Sequence, residues 1–94
     1  MVFEAEYEEI IAKIIAKYGK NAQVIQCIEE MSELTKELTK NINRDEKNEK
    51  NIEDEIADVL LTIIQQIIIY DFDVENIIKI MKKKLKRQNK RMGC

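Results

Sequence analysis

The 94-residue chain is long enough for one small domain, near the lower limit at which a single hydrophobic core sustains itself. It has no proline and two glycines, with 36 % charged and 5 % aromatic residues, which excludes turn-rich barrels and sandwiches and favours helices. Its net charge of −2 conceals a division: residues 1–78 hold all 18 acids and 8 of the 16 bases, for −10, whereas residues 79–94 hold the other 8 bases, for +8.

Four helices are predicted, in one domain spanning residues 1–94. The first runs from about Phe3 to Tyr18, with Phe3, Tyr7, Ile10, Ile11, Ile14, Ile15 and Tyr18 at helical spacing. Tyr7 and Tyr18 fit this apolar stripe as core residues, and Gly19 sits where a C-terminal cap belongs. The acidic opening MVFEAEYEEI lacks the basic region of a signal peptide, so a cytoplasmic setting is expected.

The second helix is expected to follow Asn21 as N-cap and to run to about Thr39. On a helical wheel Val24, Cys27, Ile28, Met31, Leu34 and Leu38 share a face, Gln26, Glu29, Glu33 and Glu37 lie opposite, and Gln23 and Glu30 fall at the boundary. Cys27 and Cys94 are the only cysteines, and they match neither a disulfide framework nor a zinc or CxxC pattern. The stretch NINRDEKNEKN has no apolar period and reads as a solvated loop.

Asn51 is the expected cap of the third helix. This helix is apolar around most of its circumference, which predicts burial; a narrow polar stripe passes through Glu55, Asp58, Thr62, Gln65 and Gln66. The apolar run from Val59 to Tyr70 is interrupted by that stripe and is too short to span a bilayer. Phe72 and Ile77 are spaced as a hydrophobic staple around Asp73, the N-cap of the fourth helix. That helix begins apolar and turns cationic, with seven Lys or Arg among the ten residues from Lys82 to Arg91.

Ionised carboxylates on a buried helix require partners, because burying them alone costs several kcal/mol at least. Glu55 and Asp58 are spaced i, i+3, and the second helix repeats that spacing in Glu30 and Glu33, with Glu29 and Glu33 at i, i+4. Like charges so placed repel unless a cation lies between them. If the two helices pack antiparallel, Glu30, Glu33, Glu55 and Asp58 form a set of hard oxygen ligands for Mg²⁺, or Mn²⁺ as the alternative ion. Ions of this kind bind through few carboxylates plus substrate phosphates, which implies a polyphosphate substrate. Against this, an EExxE on an acidic helix is commonly a solvated surface, and Glu55 and Asp58 could be first-turn acids answering the helix dipole. The polar stripe on an otherwise apolar helix favours the metal site.

These residues resemble the MazG-like all-alpha nucleoside triphosphate pyrophosphohydrolases. The pattern reads Glu29-Glu30-Met31-Ser32-Glu33, 21 intervening residues, then Glu55-Ile56-Ala57-Asp58. It is flanked by YGKNAQVIQCIEEMSEL, IEDEIADVLLTIIQQI and a basic fourth helix. The resemblance implies a four-helix bundle completed by homo-oligomerisation, as a homodimer or homotetramer, that hydrolyses (d)NTP to (d)NMP and pyrophosphate. It implies metal ligands at Glu30, Glu33, Glu55 and Asp58, with Glu29 or Glu33 as the catalytic proton acceptor. Lys84, Arg87 and Arg91, on one face of the fourth helix, would contact the phosphates. Gln23 and Gln26 are the implied base-binding residues.

An alternative class is a non-catalytic regulatory or nucleic-acid-binding protein using the basic C-terminal helix. The acidic body argues against nucleic acid, and the tail has no interleaved aromatics. Nucleophilic catalysis is disfavoured, since Ser32 is the only serine and there is no histidine to activate it.

Overall fold

The computed structural model describes residues 3–44 and 47–93. It contains four helices and, among the described residues, no strand: α1 Ala5–Tyr18, α2 Lys20–Arg44, α3 Glu49–Ile69 and α4 Val74–Arg91. The all-α fold is as the sequence predicts, and the departures from expectation are local.

α1 ends at Gly19, whose φ of +91° is open to glycine at no steric cost and whose N–H donates to Ile15 O at 2.8 Å. α2 restarts at once, so Asn21 lies inside the helix and is not its cap. It also runs past Thr39 to Arg44, converting the first part of the expected loop into helix. The side chains of Thr35 and Thr39 back-bond to the carbonyls one turn before them, at 2.9 and 2.8 Å, which satisfies their hydroxyls within the helix. α3 begins early as well, so Asn51 is its third residue and Asn48 takes the cap position. Asn48 is buried and serves the hairpin in place of its own helix: its Nδ2 donates to Glu37 O at 2.9 Å, and its Oδ1 accepts from Asn41 Nδ2 at 3.0 Å. Asp45 and Glu46 of the expected loop lie outside the described residues, as does Cys94.

α3 closes with a paired C-terminal motif. Phe72 N–H donates to Ile67 O at 3.0 Å and Asp71 N–H to Ile68 O at 3.2 Å, while Asp71 takes φ +54°. Asp73 caps α4 as expected, its Oδ1 accepting from Glu75 N–H at 3.0 Å. Phe72 and Ile77 line one shallow depression at this corner, consistent with the expected staple.

The main packing is the α2–α3 hairpin, with α1 laid against both; α4 is the least engaged helix. The faces that meet are mixed, apolar and polar side by side. Among the described residues the buried apolar side chains are Ile11, Cys27, Val59 and Ile67, and the buried polar ones are Gln23, Asn48, Thr62 and Gln65. The polar stripe of α3 therefore points at α2. The apolar remainder points outward: Leu60 is 55 % exposed on α3 and Ile28 56 % exposed on α2. In the single chain α3 is thus not buried all round. Tyr7 and Tyr18 are also exposed and not core. Between α3 and α4 an open apolar cleft of about 660 Å³ is lined by Leu60, Ile63, Ile67, Val74, Ile78 and Met81, among others.

Candidate metal centre

Two side-chain bonds fix the register of the hairpin. At one end Gln66 Nε2 donates to Gln23 O at 3.2 Å; at the other Asn48 reaches Glu37 O. The helices are antiparallel, so seven residues on from Gln23 on α2 meets seven residues back from Gln66 on α3. That places Glu30 beside Val59, in line with Glu55 and Asp58. On α2 the inward line runs Gln23, Cys27, Glu30, Leu34, Glu37, all buried or half-buried at successive helical turns. Glu30, placed at the boundary by the sequence wheel, is on the contact face.

Glu30, Glu55 and Asp58 are all half-buried, and one carboxylate oxygen from each lies within 4.8 Å of the others. Glu55 Oε2 is covered and has no hydrogen-bond partner. Desolvation raises the Glu30 carboxyl above its ordinary value of 4.5, with repulsion from Asp58, Glu33 and Glu29 adding to it and a hydrogen bond with Glu55 pulling the other way. Glu55 is raised for the same first reason, then by Asp58, Glu30, Glu33 and Asp54. Because α3 starts at Glu49, Glu55 and Asp58 stand in its second and third turns. The dipole is felt mainly in the first turn, so it does not account for these acids.

Three of the four expected ligands are therefore together. Glu33 is exposed on the adjoining flank of α2, close enough to act on both Glu30 and Glu55, and it is not part of the 4.8 Å set. Glu29 is exposed on that same side. Gln23 is 3 % exposed with Oε1 unpartnered, whereas Gln26 is exposed one turn along. Lys84, Arg87 and Arg91 line one open depression on α4 together with Gln88. Among the described residues none of these three cations pairs with a carboxylate of the same chain. Asn48 was invisible to sequence reasoning, because a polar residue in a polar loop carries no periodic signal.

The donor set fits a hard divalent cation. Adjacent ligands of a Mg²⁺ ion stand about 3 Å apart and opposite ones about 4 Å, so three oxygens within 4.8 Å of one another need only a small closure to share an ion. All are carboxylate oxygens, which Mg²⁺ and Mn²⁺ prefer. The carboxyls are also held where proximity penalises their negative charge, so a cation answers a deficit already present. A scan against models of known families matches the MazG nucleotide pyrophosphohydrolase domain over residues 21–92. The chain belongs to the MazG family. Neither curated proteins nor solved structures yield a match. The MazG match takes in α2, α3 and α4 with all three clustered carboxylates, and leaves α1 outside. Among the described residues of this MazG domain no helix is long and apolar enough to cross a membrane.

Proposed function

We propose that this MazG domain, taken as one unit over residues 1–94, hydrolyses nucleoside triphosphates to the monophosphate and pyrophosphate with Mg²⁺, or alternatively Mn²⁺. The observation that carries the reading is the convergence of Glu30, Glu55 and Asp58 from two facing helices, with raised carboxyls and an unpartnered Glu55 oxygen. These three and Glu33 would hold the ion. When bound, the ion supplies neutralisation of phosphate charge and acidification of water.

The chain's own residues do the rest. Glu29 or Glu33, both exposed on the flank of α2 beside the cluster, would take a proton from the attacking water. Lys84, Arg87 and Arg91 offer phosphate contacts that no carboxylate of the same chain occupies. Gln23 and Gln26, one turn apart towards the N-terminus of α2, are read as base-binding residues. A homodimer or homotetramer would cover the outward apolar residues of α2 and α3 and draw the basic α4 towards acidic surface.

The test is pyrophosphate release from a panel of ribo- and deoxyribonucleoside triphosphates, with Mg²⁺ and with EDTA, on wild type and Asp58→Asn. Metal-dependent release that the variant loses by at least a hundredfold is the expected result. Salt-sensitive nucleic-acid binding that ignores Asp58, without turnover, would favour the non-catalytic alternative.

A further inference from the structure

α4 is almost uncovered by the rest of the chain. Val74 and Ile77 are half-buried at the cleft with α3, and every residue from Ile78 to Gly93 is exposed. The surface of the helix is ordered all the same. At about 100° per residue Ile78, Met81 and Leu85 fall on one stripe, which Met92 continues at the C-cap. Met81 is 56 % exposed, and Leu85 and Met92 are 66 % exposed each. Lys79, Lys82, Lys83, Lys86 and Lys90 fill an arc of about 100° beside that stripe, on the side away from Lys84, Arg87 and Arg91. These five lysines have no part in the nucleotide reading, and among the described residues none of them pairs with a carboxylate. In α4 eight bases stand against one acid, Glu75 in the first turn, for a charge of +7.

We propose that α4 docks along an anionic lipid surface, with Met81, Leu85 and Met92 at the boundary of headgroups and acyl chains and the five lysines on the headgroups. This is a contact along the surface and not a span, and it does not depend on the nucleotide reading. A strongly charged helix of low overall hydropathy, with a narrow apolar stripe bordered by lysine, is the pattern that lies in a bilayer interface. Both halves of that pattern have to be answered by the occupant. A stripe of so few apolar side chains holds a helix only weakly on neutral lipid, and each lysine near an anionic surface adds attraction. The phosphate backbone of a nucleic acid would answer the lysines and leave Leu85 and Met92 in water. A lipid interface takes both. Acyl chains cover the stripe, while the lysine stems run beside it and carry their ammonium groups to the headgroups. The length agrees as well: 18 residues extend about 27 Å, enough to meet several headgroups. The charge division of the sequence sets the orientation, because an anionic surface repels the −10 of residues 1–78 and draws α4 down.

The test is co-sedimentation of the full chain with sucrose-loaded vesicles, in EDTA so that no divalent ion bridges carboxylate to lipid. Vesicles of phosphatidylcholine alone are compared with vesicles in which about a third of the lipid is phosphatidylserine. The expected result is binding to the anionic vesicles at least about tenfold tighter than to the neutral ones, weakening as salt is raised. Lys82→Gln/Lys86→Gln should weaken it by roughly tenfold or more, and Leu85→Gln by about tenfold, with helicity unchanged by circular dichroism. Loss of vesicle binding in the lysine variant with pyrophosphate release retained would separate this contact from the carboxylate site and support the proposal. The wild-type comparison needs no variant to fold. No binding, or equal binding to the two kinds of vesicle, would overturn the proposal. So would Leu85→Gln bound as tightly as wild type, which would reduce the contact to charge alone, or tighter binding to duplex DNA than to anionic vesicles at the same salt. Absence of vesicle binding together with a smaller sedimentation coefficient for Leu85→Gln would overturn it too, and would make the occupant a second copy.

Discussion

Asp58→Asn should make the metal-free protein more stable while it abolishes turnover. In the structure Asp58 offers an oxygen within 4.8 Å of oxygens from Glu30 and Glu55. Two unit charges at that distance repel by about 1 kcal/mol even at the dielectric constant of water. These carboxylates are partly solvated, so solvent and salt screen part of this repulsion. Removing the Asp58 charge relieves what remains with two neighbours, for a gain of about 1 kcal/mol at most in EDTA. For a domain of this size that is a rise in Tm of roughly 5 °C or less.

Added Mg²⁺ should reverse the order. Wild type binds the ion in the folded state only and gains about 1.4 kcal/mol for each tenfold excess of ion over its Kd, while the variant gains far less. The assay is thermal unfolding followed by circular dichroism at fixed protein concentration, across a Mg²⁺ series starting from EDTA. Curves that cross support three carboxylates held against their own repulsion for a cation. If Asp58→Asn is no more stable than wild type in EDTA, or if both respond equally to Mg²⁺, the carboxylates are ordinary surface acids and the reasoning fails.

Three further outcomes are expected. Glu30 and Glu55 both have raised pKa values, so the folded state keeps protons that the unfolded chain has released. Metal-free stability should therefore fall as pH rises from near 4.5, their ordinary value, through the raised folded-state values; urea midpoints of wild type relative to Glu30→Gln/Glu55→Gln should show that slope, and a rise over the window would contradict it. Leu60→Glu, at a side chain 55 % exposed in the single chain, should leave helicity intact and shift sedimentation towards a smaller species; an unchanged sedimentation coefficient would show that this face is free. Asn48→Ala removes a buried donor–acceptor pair that ties the hairpin to Glu37 O and Asn41, and should cost about 1–3 kcal/mol by urea unfolding; a loss under 0.5 kcal/mol would remove the hairpin from its account.

Much of the fold was legible because helical spacing, the glycine after Tyr18 and the Asp73 cap are local signals. The ends of α2 and α3 were not. Asn21 and Asn51 look like caps by residue type, yet a cap is defined by where the backbone turns, and Asn48 turns it through contacts with the other helix. The carboxylate cluster was legible as paired i, i+3 acids on two helices only on the condition that they pack antiparallel, and Glu33 stands outside the 4.8 Å set. Glu30 was misplaced at a boundary because the wheel ranks faces by hydrophobicity, whereas α2 turns a mixed line of Gln23, Cys27 and Glu30 inward. Gln65 was visible only as one more member of the polar stripe; its burial without a partner for Oε1 is a property of three-dimensional packing.

On the proposed function, the inward polar seam and the outward apolar residues have one physical source. A divalent site needs carboxylates close together on rigid neighbours, and facing α-helices provide that rigidity where loops would not. Placing them on the α2–α3 contact puts Glu30, Asp58, Thr62 and Gln65 where leucine or isoleucine would otherwise pack. A chain of this composition still contains its isoleucines, and with the inner face taken they are left on the outer one. Ile28, Leu60 and the α3–α4 cleft are thus the counterpart of Glu55 and Asp58. Filling the seam by Asp58→Leu together with Glu55→Leu should raise thermal stability further than Asp58→Asn does, while turnover stays lost. The carboxylates would then be answerable to chemistry and not to the fold.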